Sequence, residues 1–408
     1  MKPRFEAQRE VLNAVHRLGS QKVPLAEALG RVLAEPIAAP NDVPPFANSA
    51  MDGFAVRSDD IQTVPARLNI VEDVPAGSVS SRTVLPGTAI RIMTGAPIPR
   101  GADTVVEVEV TESEGRFVSI KATREMGTHV RPAGGDLVKG ALVFEPGKRL
   151  NPPMLGVLAS IGVTQPEVSR RPVVAIISTG DELVPPDSLT PERGKIRDSN
   201  RATLSAMLSG IVERVVDLGI IGDEPDRLRD VVRHAADIAD VVVTSGGVSM
   251  GDYDFVKAVL AELGGVSFWK VAQQPGKPFA FGHVGGTPLF GLPGNPVSVM
   301  VSFEQFVRPA LLHMMGATAL FRPQILGRLV EPVSTNPQKD VFLRVRVDLN
   351  SMAVALSGGQ SSNVLSAMAD ADALALIPVG VGDVEAGESV TLEMFEWTET
   401  RTMGVLDG

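Results

Sequence analysis

The stretch PVVAIISTGDEL, residues 172–183, decides the reading of this chain. Six apolar residues run from Pro172 to Ile177 without a polar break, the mark of a strand covered on both faces, and a glycine with two carboxylates closes it. The same grammar returns in DVVVTSGGVSMGDYD, residues 240–254, and in PLFGLPGNP, residues 288–296. Between these runs lie segments of helical character: DSNRATLSAMLSG (198–210), DEPDRLRDVVRHAADIA (223–239) and PVSVMVSFEQFVRPALLHMM (296–315). Asp198 or Ser199 suits the cap of the first. Asp223 or Glu224 suits the second, with Pro225 at its first turn, and Asn295 suits the third. Strands alternating with helices predict a parallel, doubly wound sheet, which binds ligands beyond the carboxyl ends of its strands.

The loops at those ends carry the chemistry. STGDEL (178–183), GDEPD (222–226), TSGGVSMGDYD (244–254), QPGKP (274–278) and GLPGNP (291–296) interleave glycines with carboxylates and one lysine. Glycine turns expose backbone N–H groups to anions. Bare carboxylates repel phosphate, so the combination points to a phosphorylated ligand held through a divalent cation. Gly246, Gly247 and Gly251 allow close approach, Ser245 and Ser249 add hydroxyls, and Asp252 and Asp254 are candidate Mg²⁺ ligands. Asp181 and Glu182 follow a buried strand and join that candidate set, with Asp223, which reads equally as a helix cap. Lys277, between Gly276 and Pro278, aims a point charge suited to an oxyanion, and the N–H groups after Asn295, near Ser298, suit one too. An isolated loop of this type reads first as a plain turn, and their number at strand ends shifts the balance toward a site.

Composition narrows the field. The 408 residues exceed one ordinary core, so about two to four domains are expected. A composition of 44% apolar and 21% charged residues is that of a soluble globular protein. The net charge of -10 argues against nucleic acid or an anionic membrane as partner and confines any anion site to a local patch. The absence of cysteine excludes disulfides, thiol nucleophiles and thiolate zinc sites, and the five scattered histidines make no metal motif. No apolar run reaches transmembrane length, and the charged N-terminus is unlike a secretory signal, so the cytoplasm is the expected compartment. Neither a phosphate-binding P-loop, a dinucleotide fingerprint nor a Gly-x-Ser-x-Gly elbow occurs.

Outside the alternating region the character changes. Val11, Leu12, Val15 and Leu18 fit one helical face ending at Gly19, followed by the proline-rich EPIAAPNDVPP (35–45). Short β-type runs then dominate, among them GADTVVEVEV (101–110), which alternates like a half-buried strand. NPPMLGVLASIG (151–162) reads as a short helix capped by Asn151. After Pro323, ILGRLVEP, DVFLRVRVDL, ALALIPVG and ESVTLEMF form a second β unit of roughly 85 residues. Asp52 in NSAMDGFAV reads as a hairpin turn or as an acid reaching another domain. Thr94 in RIMTGAPIP and Asp136 in RPAGGDL are similarly ambiguous.

NSAMDGFAV, RIMTGAPIP, STGDEL, TSGGVSMGDYDF, QPGKPFAFG and GLPGNPVS, in this order, resemble the molybdopterin molybdenumtransferase family, which includes bacterial MoeA and the E domain of gephyrin. Each motif is weak alone; six in order across essentially the whole chain are specific. The resemblance implies a multidomain α/β plus β fold. An N-terminal helical and linker region (1–44 with 137–168) receives an inserted small β domain (45–136). A doubly wound, molybdopterin-binding-like α/β domain (169–320) and a C-terminal β-barrel-like domain (321–408) follow. It implies homodimers in which the inserted domain of one subunit faces the α/β and barrel domains of the other. The implied enzyme, a molybdopterin molybdotransferase, takes adenylated molybdopterin and molybdate with Mg²⁺, places molybdenum on the dithiolene sulfurs and releases AMP. The molybdopterin adenylyltransferase and molybdoenzyme maturation proteins are its implied protein partners.

By the same resemblance Asp52, Thr94, Asp136, Glu182, Asp223, Asp254 and Lys277 match functional positions. Asp181, Glu182, Asp223 and Asp254 match as metal ligands. Ser245, Gly246, Gly247, Ser249, Pro278, Asn295, Ser298, Arg344 and Ser362 match as substrate contacts, with Lys277, Ser298, Arg344 and Ser362 in the oxyanion pocket. Many relatives read Lys-Pro-Gly-Lys-Pro where this chain has Gln274 to Pro278, so one ammonium is missing unless Arg344 or Arg346 replaces it. Tungstate mimics molybdate closely, and the sequence does not separate the two. Two rival readings stand beside this one: an adenylyltransferase or nucleotide pyrophosphatase of the same α/β fold, and a non-enzymatic scaffold or carrier of gephyrin type.

Overall fold

A computed structural model of the chain describes residues 1–248, 255–263 and 265–395. Ser249, Asp252 and Asp254 lie outside the described residues. The α/β unit runs β1 (Val173–Thr179), α1 (Asn200–Leu208), β2 (Arg214–Ile221), α2 (Pro225–Ile238) and β3 (Val241–Ser245). It continues through α3 (Phe255–Glu262), β4 (Ser267–Lys270), β5 (Pro278–Val284), β6 (Thr287–Leu292) and α4 (Pro296–Ser302). The last helix passes through a π-helical segment, Phe303–Val307, into Arg308–Met314. Alternation along β1 shows why its sequence is uniformly apolar. Val174 and Ile176 pack with Leu204 and Phe303 on one side, and Ala175 and Ile177 pack with Val232 and Leu260 on the other.

The sheet order is β2-β1-β3-β6-β5-β4. The pairs β2–β1, β1–β3 and β3–β6 are parallel, whereas β5 is antiparallel to both its neighbours. The sheet is therefore mixed, not wholly parallel as the strand–helix alternation suggested. Its cause is the Gly285–Gly286 turn, whose φ values of 58° and 92° match the tight hairpin that joins β5 to β6 without a crossover helix. The wound part remains, and its strands all bring their carboxyl ends to one edge.

A second sheet of six strands is inserted before this unit. Its order is Thr104–Glu107, Gly53–Val56, Thr88–Ile92, Ala66–Val74, Phe117–Ile120, Thr111–Glu114. The strand expected across 101–110 covers only Thr104–Glu107 before a 3₁₀ turn, and Thr104, Val105 and Val106 are all fully buried instead of alternating. Near the C-terminus, Asp340–Asp348, Ala353–Leu356, Gln324–Leu329, Ser389–Met394 and Ala373–Ile377 pair in that order. Ala373–Ile377 then returns to Asp340–Asp348, closing a five-stranded barrel.

The first helix, Arg4–Ala14, ends well before Gly19. It buries Arg4, Ala7, Gln8 and Val11, so polar groups share the inner face. Asn151 caps the helix Pro152–Ser160 through Met154 N, as its sequence implied. No helix among the described residues is long and apolar enough to cross a membrane.

Candidate active site

Three loops meet at the carboxyl edge of the sheet. Gly246, at φ 96°, lies so close to the end of β1 that a Cβ there would stand 2.5 Å from Thr179 O. Its N–H donates to Leu292 O at 3.0 Å, which ties the loop after β3 to the end of β6. Asn200, at the start of α1, locks the same place. Its Nδ2 donates to Ser245 Oγ at 2.8 Å and to Gly294 O at 2.7 Å. Ser199 holds the cap position of α1 without a side-chain bond, and the Asp198 carboxylate beside it serves instead, accepting from Asn200 N and Arg201 N. Ser178 Oγ, Thr244 Oγ1 and Asn200 Oδ1 are buried here without a hydrogen-bond partner among the described residues.

The acidic loops of β1 and β2 sit beside this seat. Asp181 Oδ1 accepts from Asp223 N at 3.0 Å, and a Cβ on Gly222 would meet the same oxygen at 2.8 Å. The Glu182 carboxylate folds back over Gly180, where a Cβ would stand 2.3 Å from Glu182 Oε2. Glu224 holds the cap position of α2, yet neither it nor Asp223 makes a side-chain cap bond. That leaves the Asp223 carboxylate exposed. Among the described residues no three His, Cys, Asp or Glu side chains are grouped to hold a metal ion. The donors present are carboxylate oxygens only. Such a set fits Mg²⁺, which keeps several waters and is held by one or two carboxylates plus substrate phosphates.

The second half of the site lies at the seam between sheet and barrel. The turn Gln274–Lys277 is closed by Val271 N donating to Lys277 O at 2.8 Å and by Gln273 Nε2 donating to Gly276 O at 3.1 Å. Gly276, at φ 94°, packs on α4; a Cβ there would meet Ser302 Oγ at 2.6 Å and Ser298 O at 3.5 Å. Lys277 is left exposed, and Pro278 opens β5. Asn295 does not cap α4 with its side chain. Its Nδ2 instead donates to Ser362 Oγ at 3.0 Å, while Val297 N donates to Ser362 O at 3.1 Å. Ser298 is buried one turn inside.

Arg344 is 1% exposed, and burial pushes its guanidinium below the ordinary arginine value. Its Nη2 donates to Gly359 O and Ser361 O at 2.9 and 3.1 Å. The arginine thus holds the loop that presents Ser362. The cation that reaches Gln274 is neither Arg344 nor Arg346: Lys339 Nζ donates to Gln274 Oε1 at 3.2 Å.

Asp52 and Thr94 form a separate unit on the inserted sheet. Thr94 N and Thr94 Oγ1 each donate to Asp52 Oδ1 at 2.7 Å. These bonds, the backbone one first, hold the Asp52 carboxyl below the usual aspartate range. Asp52 therefore belongs to a side-chain bridge between two strands' ends, not to a hairpin turn. Asp136 is exposed where the chain re-enters the linker region, its N–H on Val43 O. Sequence reading missed Asn200 and Lys339. The first lay unremarked beside a predicted cap, and the second precedes a strand with no motif around it.

A glycine-lined, carboxylate-flanked sheet edge, joined through a short loop to a turn that bears an exposed lysine, is the kind of arrangement in which enzymes seat anionic groups. Comparison with known proteins gives the family. Residues 3–162 match the model of the MoeA N-terminal region (domain I and II), 175–313 a probable molybdopterin binding domain, and 327–395 the MoeA C-terminal region (domain IV). The chain is 39% identical over 393 residues to molybdopterin molybdenumtransferase 2 of Mycobacterium tuberculosis, covering 94% of this chain and 96% of that one. It is 37% identical over 399 residues to the molybdopterin molybdenumtransferase of Haemophilus influenzae, covering 96% and 95%. The crystal structure of a molybdopterin biosynthesis moeA protein from Pyrococcus horikoshii OT3 superimposes with a TM-score of 0.86 at 28% identity, covering 97% of this chain and 100% of that one. The chain belongs to the molybdopterin molybdenumtransferase family.

Proposed function

We infer that this chain, a transferase of molybdenum-cofactor biosynthesis by its family, moves molybdenum from molybdate onto the dithiolene of adenylated molybdopterin and releases AMP. One observation carries the reading. The loop Leu292–Pro296 belongs to both anion-handling halves at once. Its Leu292 and Gly294 carbonyls accept from Gly246 and Asn200 at the sheet edge, and its Asn295 donates to Ser362 at the barrel seam. A pyrophosphate on the sheet edge and an oxyanion at the seam would lie on opposite sides of one short loop, as metal insertion into the same molecule requires.

The roles follow from chemistry. Ser245, Gly246 and Gly247 seat the phosphates, with Ser249 beyond them in sequence. Asp181, Glu182, Asp223 and Asp254 would hold Mg²⁺, which when bound offsets charge on the phosphoryl oxygens. Lys277, Ser298, Asn295 and Ser362 receive molybdate, and Pro278 and Arg344 shape the turn and loop around them. Asp52, Thr94 and Asp136 complete the cleft from the partner of a homodimer in the cytoplasm. The domains are taken as 1–44 with 137–168, 45–136, 169–320 and 321–408.

Incubation with adenylated molybdopterin, molybdate and Mg²⁺ tests the reading directly. AMP release together with retention of molybdenum by the pterin is the expected result. AMP release without molybdenum capture would instead indicate a pyrophosphatase, and AMP absent altogether would reject both.

A further inference from the structure

We propose that Lys339, at the mouth of the barrel, is a second oxyanion-binding cation beside Lys277, positioned by the Gln274 carboxamide. The inference rests on the seam being the molybdate pocket and names a specificity-determining residue for it. The strand Gln273–Gln274 pairs with the start of the barrel strand Asp340–Asp348, Gln274 lying opposite Val341. This register brings Lys339, the residue before that strand, alongside the lysine-bearing turn. There Lys339 Nζ donates to Gln274 Oε1 at 3.2 Å. An ammonium has three donors, and this contact uses one of them.

Lys339 is held from behind. Its N–H donates to Asn336 O, and Asp340 N donates to Ala272 O at 2.9 Å. The neighbouring Asp340 does not neutralise it, because that carboxylate is taken by Arg4 Nε at 2.8 Å and by Val379 N at 3.0 Å. Gln274 contributes no charge, yet its carboxamide oxygen holds the ammonium at the turn instead of letting it trail into solvent. Two lysines on the flanks of one turn then make a local positive site in a chain of net charge -10. The ligand this suits is a small tetrahedral dianion.

Binding of molybdate and of tungstate to the full-length protein by calorimetry, without turnover, tests this, alongside the molybdate concentration that half-saturates AMP release. Lys339→Ala is expected to weaken oxyanion binding about tenfold, the effect of one partly solvated ion contact. Affinity for adenylated molybdopterin and the thermal midpoint should stay as in the unaltered chain. Gln274→Lys in the Lys339→Ala background should recover most of the loss, since position 274 is the one the ammonium already touches. Oxyanion binding unchanged in Lys339→Ala, equal losses for both ligands, or a folded double variant without recovery would each overturn the assignment. Lys339→Met repeats the test with the packing of the stem kept. If the unaltered protein bound no oxyanion while still cleaving adenylated molybdopterin, the molybdate pocket itself would be wrong, and this inference would fall with it.

Discussion

Asp52 shows how one neighbour sets a carboxylate. Thr94 gives it two donors, a backbone N–H and a hydroxyl, on the same oxygen. Thr94→Ala removes the hydroxyl and leaves the N–H, so the Asp52 pKa should rise partway back toward the ordinary aspartate value. An NMR titration of the Asp52 carboxyl would read the shift. If activity requires the ionised form, the acid limb of the rate profile moves to higher pH in the variant, because the proton now binds more readily. An unmoved titration would mean that the hydroxyl bond is not made in solution. Nothing in NSAMDGFAV or RIMTGAPIP announces this pair, 42 residues apart; only the folded sheet joins their strand ends. Gly53 was legible as a special residue but for another reason than a turn: a Cβ on it would strike Val106 O at 2.0 Å.

At the level of elements, the buried runs of β1 and β3 could be read from their sequences because a strand covered on both faces has no polar alternative. The direction of β5 could not, since a buried antiparallel strand has the same composition, and only the paired glycines at 285–286 distinguish it. Bonds from a helix start to a distant loop, such as Asn200 to Gly294, span 94 residues and follow from packing, which no local pattern encodes. The starts of β1 and β3 are joined by a clamp that makes a stability prediction. Asp240 accepts from Arg170 Nη1 and Nη2 at 2.8 and 2.7 Å and from Val173 N at 2.7 Å. Burial pushes the Asp240 carboxyl up; the Arg170 fork and the Val173 N–H together pull it further down, to a net value below ordinary aspartate. A depressed folded-state pKa gives stability that is present above the unfolded value and lost as pH falls through the folded one. Asp240→Asn should therefore cost about 1 kcal/mol at neutral pH, a figure reduced because Arg170 is 40% exposed. Urea unfolding should show the gap closing in strong acid; a gap independent of pH would deny the charge its part.

On the scale of the whole molecule, the two halves of the proposed cleft lie on different sheets. The hydrogen bonds of Asp52 and Thr94 run to each other and to Val108, all within the inserted domain. If a second subunit brings them to the lysine turn, then Asp52→Ala and Glu182→Ala, each inactive alone, should complement when mixed and allowed to exchange. Random pairing puts one intact cleft in half of the dimers, so activity should return to roughly a quarter of normal. No recovery from subunits shown to have exchanged would place both halves in one chain.

The buried network around Arg4 joins the ends of the chain. Arg4 pairs with Asp340 and Gln305, Gln8 reaches Gln305 O, and Gln305 Nε2 reaches Glu393 at 2.6 Å. Both partners of the Arg4–Asp340 pair are nearly sealed, at 4% and 8% exposure, so Arg4→Ala strands a buried carboxylate and should cost about 3–5 kcal/mol in urea unfolding. The network also bears on synthesis. Arg4 and the Asp340 oxygen it must meet are 336 residues apart, so the ribosome makes the arginine long before its partner. Until then the helix has Ala7 and Val11 packed in one core with Phe306 and Leu311, and Gln305 to bond, but its buried guanidinium lacks a counter-charge. A nascent chain that stops short of the barrel would hold a docked first helix with an arginine buried and uncompensated, a weak seam by which a protease could tell a fragment from a finished copy.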